Sequence, residues 1–346
     1  MAHALVQDLD YILAETTGVW DQLRGQNLFI TGGTGFVGTW LVESFAWANE
    51  KLDLRAKATL LSRNPEAFAS KAPGLAHSSS IAFVRGSAPS FEFPEGQFRF
   101  VIHAATDQVS EPSPEEPGGT FDRDLLGTRR VLEFARRRGT ERLLFTSSGA
   151  VYGKQPSDLT HVPEDYAGAP STMDLGSAYG QAKRTSEFLC AMYGRQFGFQ
   201  PIIARLFAFA GPHLPLDINF AIGNFVGDVL RGGPVRIGGD GTPRRSYLYA
   251  ADLAIWLWTM LVRGEGHRPY NVGSAEDVSI TQLAQEIVNN TVPGISVEVA
   301  KQPVPGSPPA RYVPSVERAW KELGLKPRIS LSEAIRRMYA WNLLNR

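Results

Sequence analysis

Three glycines at a fixed spacing, Gly32, Gly35 and Gly38, fall in the stretch NLFITGGTGFVGTWLV (27–42). The apolar run at 28–30 reads as a buried strand, and the apolar residues from 39 to 45 recur at helical spacing. The chain must therefore turn from strand to helix within a few residues. Glycine suits each step of that turn: position 32 permits a sharp exit from the strand, position 35 lets a pyrophosphate approach the backbone, and position 38 lets the helix pack closely on the sheet. The N–H groups of the helix's first turn, around Phe36 and Val37, are then free to receive phosphates. A ligand-free turn would carry the same glycines, but the strand before and the helix after favour a dinucleotide loop.

Strand and helix patterns go on alternating for about two hundred residues, the signature of a parallel sheet wound by helices. Strands are predicted at 28–30, 58–61, 81–84, 100–103, 143–145 and 201–206, and helices at 39–48, 122–138 and 178–197. The expected fold class is α/β, a Rossmann-type doubly wound parallel sheet with a smaller C-terminal substrate-binding lobe. Residues 1–26 form an N-terminal helical extension, in which Leu5, Leu9, Ile12 and Leu13 recur at helical spacing. The dinucleotide-binding domain is expected at 27–211, with a return segment at about 246–273. Segments 212–245 and 274–346, rich in Pro, Gly and charge, would build the lobe over the C-terminal edge of the sheet, where open α/β sheets bind ligands. The proline-rich segment 110–119, SEPSPEEPGG, reads as a mobile loop that can serve as a lid.

Composition excludes several other classes. Lys plus Arg and Asp plus Glu are equal at 35 each, so no net field recruits nucleic acid or an anionic membrane. No apolar run approaches the roughly 18 residues of a membrane span, and the N-terminus has no signal-peptide pattern. The single cysteine, Cys190, lies in an apolar helical stretch as a small buried hydrophobe, and there is no C-x-x-C pair for metal or redox work. A reducing, cytoplasmic setting and no metal are expected.

Two further stretches carry chemistry. One is LLFTSSGAVYG at the end of the fifth predicted strand; the other is SAYGQAKRTSEF on the helix from 178. Tyr179 and Lys183 are four apart, so both side chains leave one helix face. A neighbouring ammonium favours the phenolate, which makes a tyrosine a usable acid/base at neutral pH. Ser148, at a strand end, can hydrogen-bond the same substrate oxygen.

Glycine turn, serine-bearing strand end and Tyr-x-x-x-Lys helix, in that order, resemble the extended short-chain dehydrogenase/reductase family, and more narrowly its nucleotide-sugar epimerase/dehydratase branch. VIHAAT, GTRRVLEFA, RLFAFAGP and GDGTPRRSYLYAADLA extend the likeness over nearly the whole chain. The resemblance implies that Ser148, Tyr179 and Lys183 are the catalytic trio and that Lys183 also touches the nicotinamide ribose. It implies that Ala104 and Ala105 run beneath the cofactor, that His103 is structural, and that Arg245 grips the nucleotide diphosphate, for which a forked guanidinium is suited. Trp256 and Trp258 read as core residues.

The chain also departs from the family. The asparagine that usually holds the diphosphate is replaced by Ala208, leaving Asn219 and Asn224 as substitute donors. Dehydratases of the family carry an Asp-Glu pair directly after the catalytic hydroxyl, and decarboxylases keep the Glu, whereas here Gly149 and Ala150 stand there. Asp107, Glu164 and Asp165 are the carboxylates that loops could bring to the site. At the end of the second strand the NAD-type carboxylate is absent and Ser62 and Arg63 follow, which points toward NADP over NAD. Near the adenine the usual acid is Ser87.

These readings converge on an enzyme that oxidises or reduces C4 of an NDP-hexose, as a 4-epimerase or a 4-ketoreductase. A 4,6-dehydratase with relocated acid/base is the alternative, and a non-catalytic dinucleotide-binding regulator is the alternative of another class. The resemblance also implies a homodimer through helices 122–138 and 178–197; Val131, Phe134, Phe188 and Met192 are of the sort such an interface uses, and the same residues could equally face the core.

Overall fold

The computed structural model describes residues 5–106, 118–218 and 220–345. Its centre is one parallel sheet of seven strands: β1 (Asn27–Thr31), β2 (Lys57–Ser62), β3 (Ile81–Arg85), β4 (Phe100–His103), β5 (Arg142–Ser148), β6 (Gln200–Leu206) and β7 (Arg268–Val272). The spatial order is β7-β6-β5-β4-β1-β2-β3. All six predicted strands form, each longer than or equal to its apolar run, because register pairing recruits polar flanking residues such as Asn27 and Lys57 into the ladder. The seventh comes from the return segment. The chain leaves β1 toward β2 and β3 and comes back on the other side at β4, so a crevice opens beyond the C-terminal ends of β1 and β4, where the strand order reverses.

Both faces of the sheet are covered, as a parallel sheet requires. Along β1 the side chains alternate: Leu28 and Ile30 join one core with α2 (Phe36–Lys51), while Phe29 joins another with Phe134 and Cys190. That second face is covered by α3 (Gly119–Arg137) and α4 (Ala178–Phe197). Val131 and Phe134 are fully buried there, so of the two places open to them, interface or core, they take the core; a helix on a sheet turns its apolar stripe inward. Phe188 and Met192 are exposed.

Beyond the sheet, α5 (Ala221–Leu230), α6 (Ala250–Arg263), α7 (Ile280–Asn290) and α8 (Leu331–Leu344) alternate with two- and three-residue strands. Trp256 and Trp258 are buried on α6, which packs against α2. The N-terminal helix α1 (Val6–Glu15) lies on α6, tied by Tyr11 to Asp252 (2.7 Å), and Asp8 meets both Tyr249 and Arg337 of α8. The three-stranded sheet that matters for the site sets Arg244–Ser246 between Asp277–Ser279 and Arg311–Tyr312, in a register that puts Tyr312 beside Arg245. Asp277 clamps it by pairing with Arg244 and with Arg311 (3.0 Å).

Candidate active site

The glycine turn lies at the mouth of the crevice. Gly32 has φ +72°, and a Cβ there would stand 2.5 Å from the carbonyl of Ala104, so the loops after β1 and β4 close only over a bare backbone. At Gly38 a Cβ would stand 2.0 Å from the Gly32 carbonyl oxygen. Gly35 begins α2 with no side-chain cap, so the first-turn amides are left for an outside partner. A bare turn and uncapped amides fit a dinucleotide's pyrophosphate.

From this turn a cavity of about 870 Å³ extends over the ends of β4, β5 and β6. Phe36, Val37, Arg63, Ser87, Ala104 and Ala105 line its dinucleotide end, and Ser148, Tyr179, Lys183 and Arg245 line it farther on. Ser62 does not line it: its hydroxyl turns back to accept the Asn64 amide (3.2 Å), because the chain folds into a helix right after β2. Asn224, within α5, is likewise not on the wall, which is formed there by Phe220, Ala221 and Ile222. Asn219 and Asp107, with most of segment 110–119, lie outside the described residues.

Lys183 is 2% exposed, and its ammonium donates to the Thr146 carbonyl (3.3 Å). The ammonium also stands 5.7 Å from the centre of the Tyr179 ring. The Asp124 carboxylate of α3 faces it at 3.8 Å and accepts the Thr106 hydroxyl (3.1 Å). Asp124 is, among the described residues, the carboxylate that lines the cavity. Glu164 is elsewhere: buried, it accepts the Asn271 amide (2.9 Å) in a network with Arg318, and desolvation pushes its carboxyl above the usual range. Asp165 is exposed and also off the cavity. His103 is buried between Thr31 (2.7 Å) and Thr128 (3.1 Å), and burial, with Lys183 nearby, pushes its imidazole down to about 3.

Three residues of the wall carried no usable signal in the sequence. Asp124 is one charge among many on a helix whose outer face is charged. Phe207 follows β6 and meets Tyr312, ring centres 4.6 Å apart. Tyr312 belongs to a two-residue strand inside a proline-rich stretch, too short for any periodicity, and its hydroxyl lies 3.4 Å from the Ser148 hydroxyl. The Ser148 oxygen also accepts the Ala150 amide (3.1 Å).

A model of the NAD dependent epimerase/dehydratase family matches residues 28–273. UDP-glucuronic acid decarboxylase 1 of Arabidopsis thaliana is 30% identical over 320 residues, 90% of this chain and 68% of that protein. Among solved structures, UDP-glucuronic acid 4-epimerase from Bacillus cereus, in complex with UDP-glucuronic acid and NAD, superposes with a TM-score of 0.78 at 21% identity, over 93% of this chain and 100% of that one. UDP-glucose 4-epimerase from Thermotoga maritima, with UDP-glucose, gives 0.77 at 21% identity, over 92% and 99%.

Proposed function

The chain belongs to the NAD dependent epimerase/dehydratase family, and from that premise we propose that it oxidises or reduces C4 of a nucleotide-bound hexose, as a 4-epimerase or a 4-ketoreductase. One observation carries the reading: the glycine turn, Ser148, Tyr179 and Lys183 all face one cavity. The bound nicotinamide supplies the hydride acceptor or donor. Tyr179 moves the proton of the C4 hydroxyl, Ser148 orients that oxygen, and Lys183 holds positive charge beneath the phenol. Arg245, on the far wall, takes the diphosphate, and the segments 212–245 and 274–346 form the lobe that encloses the sugar nucleotide.

The NADP preference loses half its basis with Ser62 turned away, and the B. cereus epimerase is in complex with NAD. NAD is therefore the cofactor we assign, with Arg63 as the residue that would otherwise receive a 2′-phosphate. A dehydratase needs a base at C5 and an acid at the C6 hydroxyl. Gly149 and Ala150 offer neither, and Glu164 and Asp165 lie off the cavity. Exposed Phe188 and Met192 on α4 and Leu126 on α3 give an apolar outer face suited to a homodimer.

The test is mass spectrometry of cofactor released from purified protein, followed by incubation with UDP- and dTDP-hexoses and chromatography of the products. Retained NAD with interconversion of C4 epimers supports an epimerase, and an empty protein that takes up NADH or NADPH and reduces a 4-keto sugar supports a reductase. Formation of 4-keto-6-deoxy sugar would restore the dehydratase. Absence of any dinucleotide binding would overturn the whole reading.

A further inference from the structure

We propose that Tyr312 and Phe207 form the wall against which the exocyclic carbon at C5 of the sugar packs, and that this wall selects nucleotide hexoses with an uncharged C6 over nucleotide hexuronic acids. The inference rests on the C4 chemistry assigned above to Ser148 and Tyr179.

An oxygen held by Ser148 lies next to Tyr312, whose hydroxyl is 3.4 Å from the serine's. The ring substituent beside C4 must therefore meet Tyr312. Of the two neighbours, C3 bears a lone hydroxyl that needs polar partners, whereas C5 bears a carbon that needs an apolar surface. Phe207 and Tyr312, with ring centres 4.6 Å apart, offer that surface. The wall also closes off the position after the serine. A Cβ on Gly149 would stand 2.7 Å from Phe207 and 2.8 Å from the Tyr312 hydroxyl, so the space in which a side chain there would reach the sugar belongs to the two rings.

Among the described residues, no hydrogen-bonding partner of this wall's polar tip carries positive charge. The hydrogen-bonding partners of the Tyr312 hydroxyl are the Ser148 hydroxyl, the Leu206 carbonyl (3.4 Å) and the backbone amide of Gly149, all neutral. Burial pushes the phenol well above its ordinary value, so it stays a neutral donor, able to bond a C6 hydroxyl. Four cations of the described residues line the cavity: Arg63 at its dinucleotide end, Arg123, which has a partner of its own, Lys183 and Arg245. Lys183 faces Asp124, and Arg245 lies over the Tyr312 ring, 5.6 Å from its centre, donates to the Arg244 carbonyl (2.9 Å) and is assigned to the diphosphate. A C6 carboxylate would give up its water for two rings and a neutral hydroxyl, which is costly. A hydroxymethyl or methyl group would not.

The experiment is calorimetric titration of the cofactor-loaded protein with glucose and glucuronic acid, each as its UDP and its dTDP ester, so that the base is not presupposed. The wild type should bind the better glucose ester at least about tenfold more tightly than the matching glucuronate. Tyr312→Arg should shift that ratio by roughly tenfold or more toward glucuronate. Tyr312→Phe, which keeps the ring and removes only the hydroxyl, should keep the preference for the neutral sugar and bind it more weakly. Equal or tighter wild-type binding of glucuronate overturns the inference while leaving C4 chemistry intact, as does a folded Tyr312→Arg protein with an unchanged ratio. Should Tyr312→Arg not fold, the wild-type ratio decides alone. Binding of none of the four esters would instead sink the nucleotide-sugar reading beneath it.

Discussion

The dinucleotide end of the cavity is made of backbone, and its sugar end is made of side chains. At the first, Gly32 and Gly38 are bare because carbonyls lie within 2.5 Å and 2.0 Å of where a Cβ would be, and the first turn of α2 has no side-chain cap. At the second, Ser148, Phe207, Arg245 and Tyr312 come from four segments spread over more than 160 residues, the last two paired in a three-stranded sheet of very short strands. Backbone sites tolerate almost no change at their glycines. A side-chain site can be rebuilt one residue at a time, so reactions can diverge at the sugar end while the dinucleotide end stays fixed.

The largest effect is expected where the two ends meet. Tyr179→Phe should lower turnover by a factor of about 100 or more, the scale of lost acid/base catalysis, with folding and dinucleotide binding unchanged. Lys183→Ala should do worse, because it removes a buried charge that faces both the phenol and Asp124. Steady-state kinetics beside a dinucleotide titration separates the two; wild-type turnover in Tyr179→Phe would falsify the assignment.

Next in size is Gly38→Ala. The added methyl must displace the Gly32 carbonyl, and overpacking of this kind costs about 1–3 kcal/mol. Thermal unfolding should show the loss, and titration should show weakened NAD binding, whereas Tyr312→Phe at the sugar end should leave NAD affinity unchanged. Intact NAD affinity in Gly38→Ala would mean that the dinucleotide end is less rigid than its contacts imply.

These two ends were not equally legible in the sequence. The strand, glycines and helix of the first occur within sixteen consecutive residues, so local spacing alone exposes them. The helix from Ala178 to Phe197 was readable for the same reason, carrying Tyr179 and Lys183 one turn apart. Tyr312 was not, since its place beside Ser148 depends on pairing with Arg245 across 66 intervening positions in register Tyr312↔Arg245. Ser62 misled because a hydroxyl at a strand end looks outward in sequence, while here a turn at Asn64 captures it. Val131 and Phe134 were ambiguous because apolar residues on a helix fit a sheet and a partner equally well until the face is fixed.

A smaller effect should come from Asp124→Asn. The amide still accepts a hydrogen bond from Thr106 but no longer balances the ammonium of Lys183, which donates its hydrogen bond to the neutral Thr146 carbonyl. Weakening a bond to a buried charge costs about 1–3 kcal/mol of stability. Turnover should fall by roughly tenfold, about 1.4 kcal/mol in the barrier, with KM little changed. Should KM rise while kcat holds, Asp124 acts on substrate binding and belongs with the sugar end instead.

The smallest effect is a slope. His103 ends β4 beneath the dinucleotide end, with both ring nitrogens bonded to threonines and its imidazole held down to about 3 by burial and by Lys183. In the unfolded chain it titrates near 6.5. Between those values the unfolded chain holds a proton that the folded one refuses, so acid favours unfolding. The sign is therefore fixed: stability is unaffected by this group above about pH 6.5 and declines as pH falls below it, by at most about 1.4 kcal/mol per unit. Chemical denaturation of wild type and His103→Gln from pH 7.5 to 5 isolates this contribution, because glutamine can bridge both threonines without titrating. The variant should begin less stable and lose less on acidification, its slope shallower by up to that amount. Parallel slopes would show that His103 accepts a proton in the folded chain, and the dinucleotide end would then have a polar flexibility that its geometry does not suggest.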